Sequence, residues 1–406
     1  MTKIAGVGRS IFATSCAFAD VDRDGYVDLF VTNYVDPRLD NNTFCGEPRT
    51  NTRTYCHPLN FQPLQSVLFH NNGDGTFTDV SVKSGIAAQR GNGLGVVIGD
   101  YDDDGWPDIF VANDSTPNFL YHNEGRGVFK EVGLGAGVAV GSDGNRRAGM
   151  GTDFGDYDGD GHLDLFVTNH ELETHTLYRN LGSGLFAEVT SESGIGLETL
   201  PFVGFGTVFF DVDNDGDLDL AIANGHVLDN SGHFRPGAKD SQRKLLFRND
   251  RGHFKEVGRL AGPGFAIEKV SRGLSAADID NDGDLDLLVT SNGAAADLLR
   301  NDTGRENSAL LVRLIGTRSN RSAIGARVRL TAGGPTQMRE VKAGSSYLSQ
   351  NDLRVHFGLA RATEISQLEV RWPSGSTEMV RNLAINQTVT ITEGKGVTGR
   401  SPLVRR

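Results

Sequence analysis

Five segments of the sequence carry aspartate at positions 1, 3, 5 and 9 and glycine at position 6. The first, DVDRDGYVDLF, begins at Asp20, and an apolar run continues from each of the five. Alternate residues of a tight loop direct their carboxylates to one centre, and the glycine permits the sharp turn. The spacing therefore predicts five cation-binding loops with twenty carboxylate ligands: Asp20, Asp22, Asp24, Asp28, Asp100, Asp102, Asp104, Asp108, Asp156, Asp158, Asp160, Asp164, Asp211, Asp213, Asp215, Asp219, Asp278, Asp280, Asp282 and Asp286.

Calcium is the cation that suits these loops best. Ca²⁺ accepts six to eight oxygen ligands in irregular geometry, whereas Mg²⁺ demands a smaller octahedron and keeps several waters. An EF-hand would place a bidentate glutamate at position 12, where this sequence has apolar residues such as Val31 and Val111. A plain Asp-Gly turn copied by duplication is the alternative, but such turns also accept asparagine or serine. We therefore expect about five structural Ca²⁺ ions as cofactors.

A second motif follows each aspartate segment and ends in asparagine. It reads LFHN, LYHN, LYRN, LFRN and LLRN, ending at Asn71, Asn123, Asn180, Asn249 and Asn301. In the first four copies a glycine-rich turn and a phenylalanine come next, which is typical of a β-hairpin. Each unit thus reads as four strands, A to D, with the aspartate loop between A and B. Such repeats predict an all-β chain with a β-propeller of five motif-bearing blades, or of six or seven if degenerate units complete it.

The C-terminal part of the chain is also rich in predicted strands. Apolar or alternating runs separated by glycine and proline fill residues 309 to 393 and indicate a small β-sandwich-like domain. We expect the propeller to occupy residues 1 to 305 and the second domain residues 306 to 395. Residues 396 to 406 read as a flexible tail.

Charge and composition limit the partners. A formal net charge of −12 argues against nucleic acid, and the sequence contains no apolar run long enough to span a membrane. No secretory signal is visible, so the sequence is compatible with a cytoplasmic protein, or with a secreted one whose signal was removed. Cys45 and Cys56 lie in one irregular segment and could pair; the alternative is that they and Cys16 are unrelated free thiols.

These motifs resemble a known family. The aspartate loops are similar to the FG-GAP/VCBS type of calcium-binding propeller repeat, and VTNH, ANGHV and LYRN resemble the bacterial relatives of cartilage acidic protein. The text SNRSAIGARVRL, GSSYLSQND, LRVHFGL and LEVRWPSG resembles the ASPIC/UnbV domain that ends those proteins. The resemblance implies the propeller and calcium. Some bacterial members are encoded with enediyne and other natural-product pathways, so it also leaves room for an enzyme.

The loops opposite the aspartate segments are the predicted place for function. Two large B–C insertions, roughly 34 to 66 and 225 to 244, lie at that end, and elaborated loops on a rigid scaffold usually build binding sites. The candidate catalytic residues there are His170, Glu171, Glu173, His175 and His226. One hypothesis is a binding or scaffold propeller whose partner is a small molecule, glycan or protein. The other is a calcium-dependent cyclase, lyase or isomerase of a polyketide, terpenoid or enediyne pathway.

Overall fold

A computed structural model describes residues 2–9, 11–37 and 43–404. Within these residues the chain is all-β, with a few single-turn helices. The α-helices are Gly133–Ala136, Gly196–Thr199, Ser231–Phe234 and Pro263–Ala266, and the 3₁₀ turns are Pro58–Asn60, Ile86–Ala88 and Gly304–Glu306. None of the helices in the described ranges is long and apolar enough to cross a membrane.

Residues 13 to 299 form five consecutive antiparallel sheets, numbered here 1 to 5, whose strands A to D follow chain order. Sheet 5 lacks strand D, as its sequence indicated. The strands of sheets 1 and 2 are Ala13–Ala19, Asp28–Asn33, Val67–Asn71 and Phe77–Asp79, then Gly93–Gly99, Asp108–Asn113, Phe119–Asn123 and Phe129–Glu131. Those of sheets 3 and 4 are Thr152–Gly155, Asp164–Val167, Thr176–Asn180 and Phe186–Glu188, then Gly204–Phe210, Asp219–Asn224, Leu245–Asp250 and His253–Glu256. Those of sheet 5 are Ser271–Ala277, Asp286–Ser291 and Ala294–Leu299.

Strand B of sheets 2 to 4 is buried along its whole length because both of its faces pack against neighbouring sheets. All six residues of Asp108–Asn113 are buried, which explains the continuous apolar run. In register, Phe110 pairs with Val97 on strand A and with Leu120 on strand C. These three residues share a core with Phe154 and Leu165 of sheet 3. The cores of this region therefore lie between successive sheets.

The motif asparagines join each sheet to the one before it. The side-chain amide of Asn123 in sheet 2 donates to the Val21 carbonyl of sheet 1 at 2.9 Å. Asn180, Asn249 and Asn301 repeat this bond to the carbonyls of the preceding aspartate loops at 2.7–2.8 Å. Successive A strands also contact each other, from sheet 1 through to sheet 5.

The remaining chain, residues 309 to 402, forms two four-stranded sheets that share one core and is named here the C-terminal domain. That core contains Leu310 and Val312 of one sheet, Val328 and Leu368 of the other, and the buried Trp372. One sheet has the order Val355–Gly358, Ala309–Ile315, Gln387–Thr392 and Gly396–Pro402. The other has the order Thr336–Glu340, Arg327–Thr331, Gln367–Arg371 and Thr377–Val380.

The prediction of a flexible tail from residue 396 is wrong for most of that segment. Gly396–Pro402 is an edge strand that pairs antiparallel with Gln387–Thr392, and residues 405 and 406 lie outside the described residues. Alternation in GVTGRSP is too weak to predict a strand, and the strand forms because the neighbouring strand offers a free edge.

The insertion after strand B of sheet 1 contains a disulfide. Cys45 and Cys56 are bonded, with their Cα atoms 5.2 Å apart, and Cys16 is free. Two short pairs lie in the same insertion, Val35–Asp36 with Gln62–Pro63 and Gly46–Glu47 with Thr52–Arg53. The alternative in which Cys45 pairs with Cys56 is therefore confirmed.

Residues 343–351 of the C-terminal domain, named here the inner segment, run between the A strands of the five sheets. The Ala343 carbonyl accepts from Phe18 N–H at 2.9 Å in sheet 1, and Ser346 bonds to Thr152 of sheet 3 and Thr207 of sheet 4. The Ser349 hydroxyl accepts from Leu274 N–H in sheet 5 at 3.0 Å. Sheet 2 approaches through a glycine, since a Cβ on Gly95 would lie 3.0 Å from the Ser346 carbonyl oxygen. The inner segment thus touches all five sheets.

Candidate metal loops and a central site

The five aspartate loops share one hydrogen-bond pattern. The carboxylate at position 1 accepts from the backbone N–H of the position-6 glycine at 2.9–3.2 Å in every loop. The carboxylate at position 9 accepts from the N–H of position 2 and from the N–H of the motif asparagine, as Asp28 does from Val21 and Asn71. These bonds turn the carboxylates of strands A and B toward each other.

Each loop also contains one buried carboxylate oxygen that has no hydrogen-bond partner among the described residues. These oxygens are Oδ1 of Asp22, Asp100, Asp156, Asp213 and Asp280. In sheets 1 to 3 the carboxylates at positions 1, 3 and 9 bring ligand oxygens within 4.8 Å of one another. An acceptor left bare in every loop is costly unless a cation binds it. The donor set is all oxygen, as a hard divalent cation requires.

Burial disfavours the ionised form of these carboxylates when no cation is bound, and so raises their pKa. Desolvation, followed by repulsion from neighbouring aspartates, raises the pKa of Asp20 to about 7. Desolvation likewise raises the pKa of Asp100 to about 7 and that of Asp211 to about 8. The loops therefore either hold protons near neutral pH or hold a cation that displaces them.

Basic side chains that the sequence did not single out surround the loops. The residue before each motif asparagine is basic: His70, His122 or an arginine. These side chains lie beside the aspartates of their own loops, as Arg179 Nε does at 2.7 Å from Asp158. The C-terminal domain adds Arg327, which contacts Asp103 and the Asp100 carbonyl. It also adds Arg339 and Arg354, which donate to Gly216 O at 3.1 Å and Asp278 O at 2.7 Å. The C-terminal domain therefore packs on the end of the sheets that carries the aspartate loops.

At the opposite end, side chains from all five sheets and the tip of the inner segment form a second group, named here the central site. Its floor is Leu94, Met150, Val203 and Phe205, against which Tyr34 and Tyr347 pack. Its polar members are Tyr34, Asp114, His170, Glu171, Glu173, His226, Arg272 and Tyr347. The Tyr34 hydroxyl donates to Asp114 Oδ2 at 2.6 Å.

Glu171 is hydrogen-bonded to His226 and ion-paired with Arg235 in the central site. Glu171 Oε1 lies 3.3 Å from His226 Nε2 and 2.9 Å from Arg235 Nη1. His226 Nδ1 accepts from Leu228 N–H at 2.9 Å, which places the proton of a neutral imidazole on Nε2, facing the carboxylate. Desolvation lowers the pKa of His226 despite Glu171. The His170 ring stands edge-on to His226 with the ring centres 5.4 Å apart.

Four of the five predicted catalytic candidates reach the central site, and His175 does not. His175 is 0% exposed and stands edge-on to the Phe166 ring in the core between sheets. Its Nδ1 accepts from Asn169 N–H at 3.0 Å, and burial lowers its pKa to about 3. The expectation that His175 faces a ligand is wrong, because the chain turns inward just before strand C begins at Thr176.

Substituting His175 with alanine should therefore destabilise the fold. The change leaves a cavity and an unpaired Asn169 N–H, and we expect the free energy of unfolding to fall by about 2–4 kcal/mol. His170→Ala, at a partly exposed position five residues earlier, should change it by less than about 0.5 kcal/mol. Urea denaturation followed by circular dichroism measures both. Equal stability of the two variants would contradict this placement.

Asp114, Phe205 and Tyr347 are among the members of the central site that were not predicted. Asp114 directly follows strand B of sheet 2, at the position His170 holds after VTN in sheet 3, so alignment of the repeats could have found it. Phe205 lies in a glycine-rich A strand that reads as core. Tyr347 comes from the other domain, and no local pattern indicates where it ends.

Comparison with known proteins agrees with the repeat and domain pattern. The FG-GAP-like repeat model matches residues 63–111, 100–167 and 156–222, and the ASPIC and UnbV model matches residues 316–398. Cartilage acidic protein 1 of Homo sapiens is 30% identical over 325 residues, covering 78% of this chain and 46% of that protein. The Mus musculus protein is 31% identical over 307 residues, covering 73% and 44%. The chain thus spans about half the length of the curated relatives it matches.

Similarity to solved structures is more distant. An Agrocybe aegerita lectin, described as recognising non-reducing terminal N-acetylglucosamine, is 16% identical with a TM-score of 0.34, covering 74% of this chain and 84% of that one. A rhamnogalacturonan lyase of Bacillus licheniformis is 13% identical with a TM-score of 0.34, covering 94% and 72%.

Proposed function

Because the chain combines FG-GAP-like repeats with an ASPIC and UnbV domain and is homologous to cartilage acidic protein 1, we propose that it is a calcium-stabilised β-propeller that binds a ligand. The propeller consists of sheets 1 to 5 as blades, and the C-terminal domain is a β-sandwich. The ligand binds at the central site. One observation carries this proposal: polar side chains from every sheet converge, together with Tyr347 of the inner segment, at the end opposite the aspartate loops.

Calcium in this proposal occupies each of the five aspartate loops. The twenty predicted aspartates would hold about five ions, and the bare oxygens of Asp22, Asp100, Asp156, Asp213 and Asp280 support this assignment. A bound ion supplies charge neutralisation and ties the end of strand A to the start of strand B. The loops lie at the opposite end from the central site, which favours a structural ion over one that contacts the ligand.

An enzyme is the second candidate, and the geometry favours it less. A catalytic His226 would need a free nitrogen to take up a substrate proton. Both of its nitrogens are engaged, Nδ1 by Leu228 N–H and Nε2 by Glu171, which also pairs with Arg235. Because these side chains already bond to other groups of the protein, the geometry favours a role in the wall of a binding site over a role in proton transfer.

Methionine methyl groups offer a direct test, because they mark separate parts of the molecule. Met150 lies in the floor of the central site, 2% exposed, whereas Met379 is 46% exposed on the C-terminal domain. We expect compounds from a library of small molecules and oligosaccharides to shift the Met150 resonance of ¹³C-methyl-methionine protein, with Met379 unchanged.

Substitution then shows whether such a shift reports binding at the central site. Tyr34→Phe should weaken binding of a compound found in this way several-fold, because it removes a hydroxyl from the site wall. Compounds that shift Met379 but leave Met150 unchanged would contradict the proposed site. So would a library from which nothing shifts Met150 at about 10 mM.

A further inference from the structure

Arg272 is the cation at the centre of the central site, and it is held by neutral groups. Its guanidinium lies 3.9 Å above the centre of the Phe205 ring. Nη1 donates to the carbonyls of Gly225 at 2.9 Å and Ser271 at 2.8 Å, and Nη2 donates to His226 O at 3.0 Å. These contacts fix the orientation of the group but do not neutralise its charge.

No carboxylate pairs with Arg272 among the described residues, although other basic side chains of this end do have partners. Arg235 pairs with Glu171, Lys239 with Glu268, and Lys269 with Asp297. Arg272 is only partly exposed, and desolvation lowers its pKa to about 10. A half-buried charge without a counter-ion is unfavourable, and an anionic ligand would relieve that cost.

Tyr347 supplies a second free donor beside this charge. Its ring stands edge-on to Phe205 with the ring centres 5.0 Å apart, so it shares a platform with Arg272. Its hydroxyl makes no hydrogen bond to the rest of the described chain, unlike the hydroxyl of Tyr34, which is bonded to Asp114. The guanidinium and this hydroxyl together offer donors to two oxygens of one group.

We propose that the central site binds a small molecule through a carboxylate, which accepts hydrogen bonds from the Arg272 guanidinium and the Tyr347 hydroxyl. The proposal rests on the proposed function and names the ligand class of the same site. A single positive charge matches a monoanion, and Asp114, Glu171 and Glu173 around the site disfavour a dianion such as phosphate. Leu348, which follows Tyr347 in the chain, and Val227, which follows His226, are 59% and 37% exposed and offer apolar surface to the body of the ligand.

The test compares acids with their matched amides. Benzoate and hexanoate, against benzamide and hexanamide, are titrated into the whole 406-residue chain while the Met150 methyl resonance is followed. We expect the carboxylates to bind at least about tenfold more tightly than the amides, since the amides lack the charge. Arg272→Gln should abolish this preference and Tyr347→Phe should weaken carboxylate binding several-fold. Arg361→Gln, on an 85% exposed side chain of the C-terminal domain, is the matched control and should change nothing.

Each other outcome overturns the proposal in a recognisable way. Amides that shift Met150 as strongly as the acids would refute the carboxylate class and leave the proposed site intact. Inorganic phosphate that binds more tightly than benzoate would replace the class with a dianion. No shift of Met150 by either acid at about 10 mM would refute the class outright. Arg272→Lys, which keeps the charge, and Tyr347→Phe still test the contact if Arg272→Gln fails to fold.

Discussion

Removing calcium with EDTA is expected to lower the melting temperature of the protein by about 10 °C or more. A ligand present at a hundred times its dissociation constant stabilises the folded state by about 2.7 kcal/mol per site, and five such sites add up. Calorimetry before and after chelation, with recovery on adding CaCl₂, measures the effect. A melting curve that EDTA leaves unchanged would refute the calcium assignment.

The pH dependence of the chelated protein should be opposite to that of the calcium-loaded protein. Burial raises the pKa of Asp20 and Asp100 from 3.8 to about 7 in the folded chain. The proton-bound carboxyls therefore contribute stability that is complete below about pH 4 and is lost as the pH rises through about 7. Chelated protein should be less stable at pH 8 than at pH 5. Calcium competes with those protons, so the calcium-loaded protein should be more stable at pH 8 than at pH 5. Parallel pH profiles of the two forms would contradict the calcium assignment.

A single-loop variant gives the matched control for chelation. Asp104→Asn removes one ligand from the loop of sheet 2 and should reduce the calcium count by one, whereas the exposed Asp229→Asn should leave it unchanged. Native mass spectrometry counts the ions. Loss of all ions from Asp104→Asn would show that the loops bind cooperatively and not independently.

Lys342→Met is the point substitution outside the metal loops from which we expect the greatest loss of stability. Lys342 lies next to the inner segment, and its Nζ donates to Asp153 Oδ1 at 2.5 Å and to Phe154 O at 2.6 Å. Asp153 is 0% exposed and also accepts from Phe209 N–H of sheet 4 at 3.0 Å. Removing the lysine leaves a buried carboxylate unpaired, at a cost of about 3–5 kcal/mol.

The double variant separates the lost charge pair from lost packing. Asp153→Asn combined with Lys342→Met removes both charges and keeps an acceptor for Phe209 N–H, so it should recover much of the stability. Lys395→Met, at an exposed position, should lie within about 0.5 kcal/mol of the native protein. A Lys342→Met variant as stable as Lys395→Met in urea denaturation would show that the buried pair does not hold the two domains together.

The sequence was most informative where function depends on local spacing. Aspartates two residues apart around a glycine occupy one tight loop, so the grouping of their carboxylates and the start of strand B at Asp28 or Asp108 could be predicted. Which of His170 and His175 is buried could not be predicted, because both lie in one irregular stretch. Only tertiary packing places His170 at the surface and His175 in the core. The segment GSSYLSQND is polar and reads as an ordinary loop. Its Ser346 is nevertheless fully buried, because its partners are backbone groups of strands far away in sequence.

The bonds of the inner segment have a consequence for how this architecture changes in evolution. Asn123 of sheet 2 bonds to Val21 of sheet 1, and the later repeats are joined in the same way. If these were the only bonds between repeats, unequal recombination could add or remove a repeat, because every repeat would still meet its neighbour through the same contact. The inner segment should oppose this, because Ala343 bonds to sheet 1, Ser346 to sheets 3 and 4, and Ser349 to sheet 5. A duplicated or deleted repeat would leave those partners in the wrong places relative to the inner segment. We therefore expect the number of repeats and the length of the inner segment to change together in evolution.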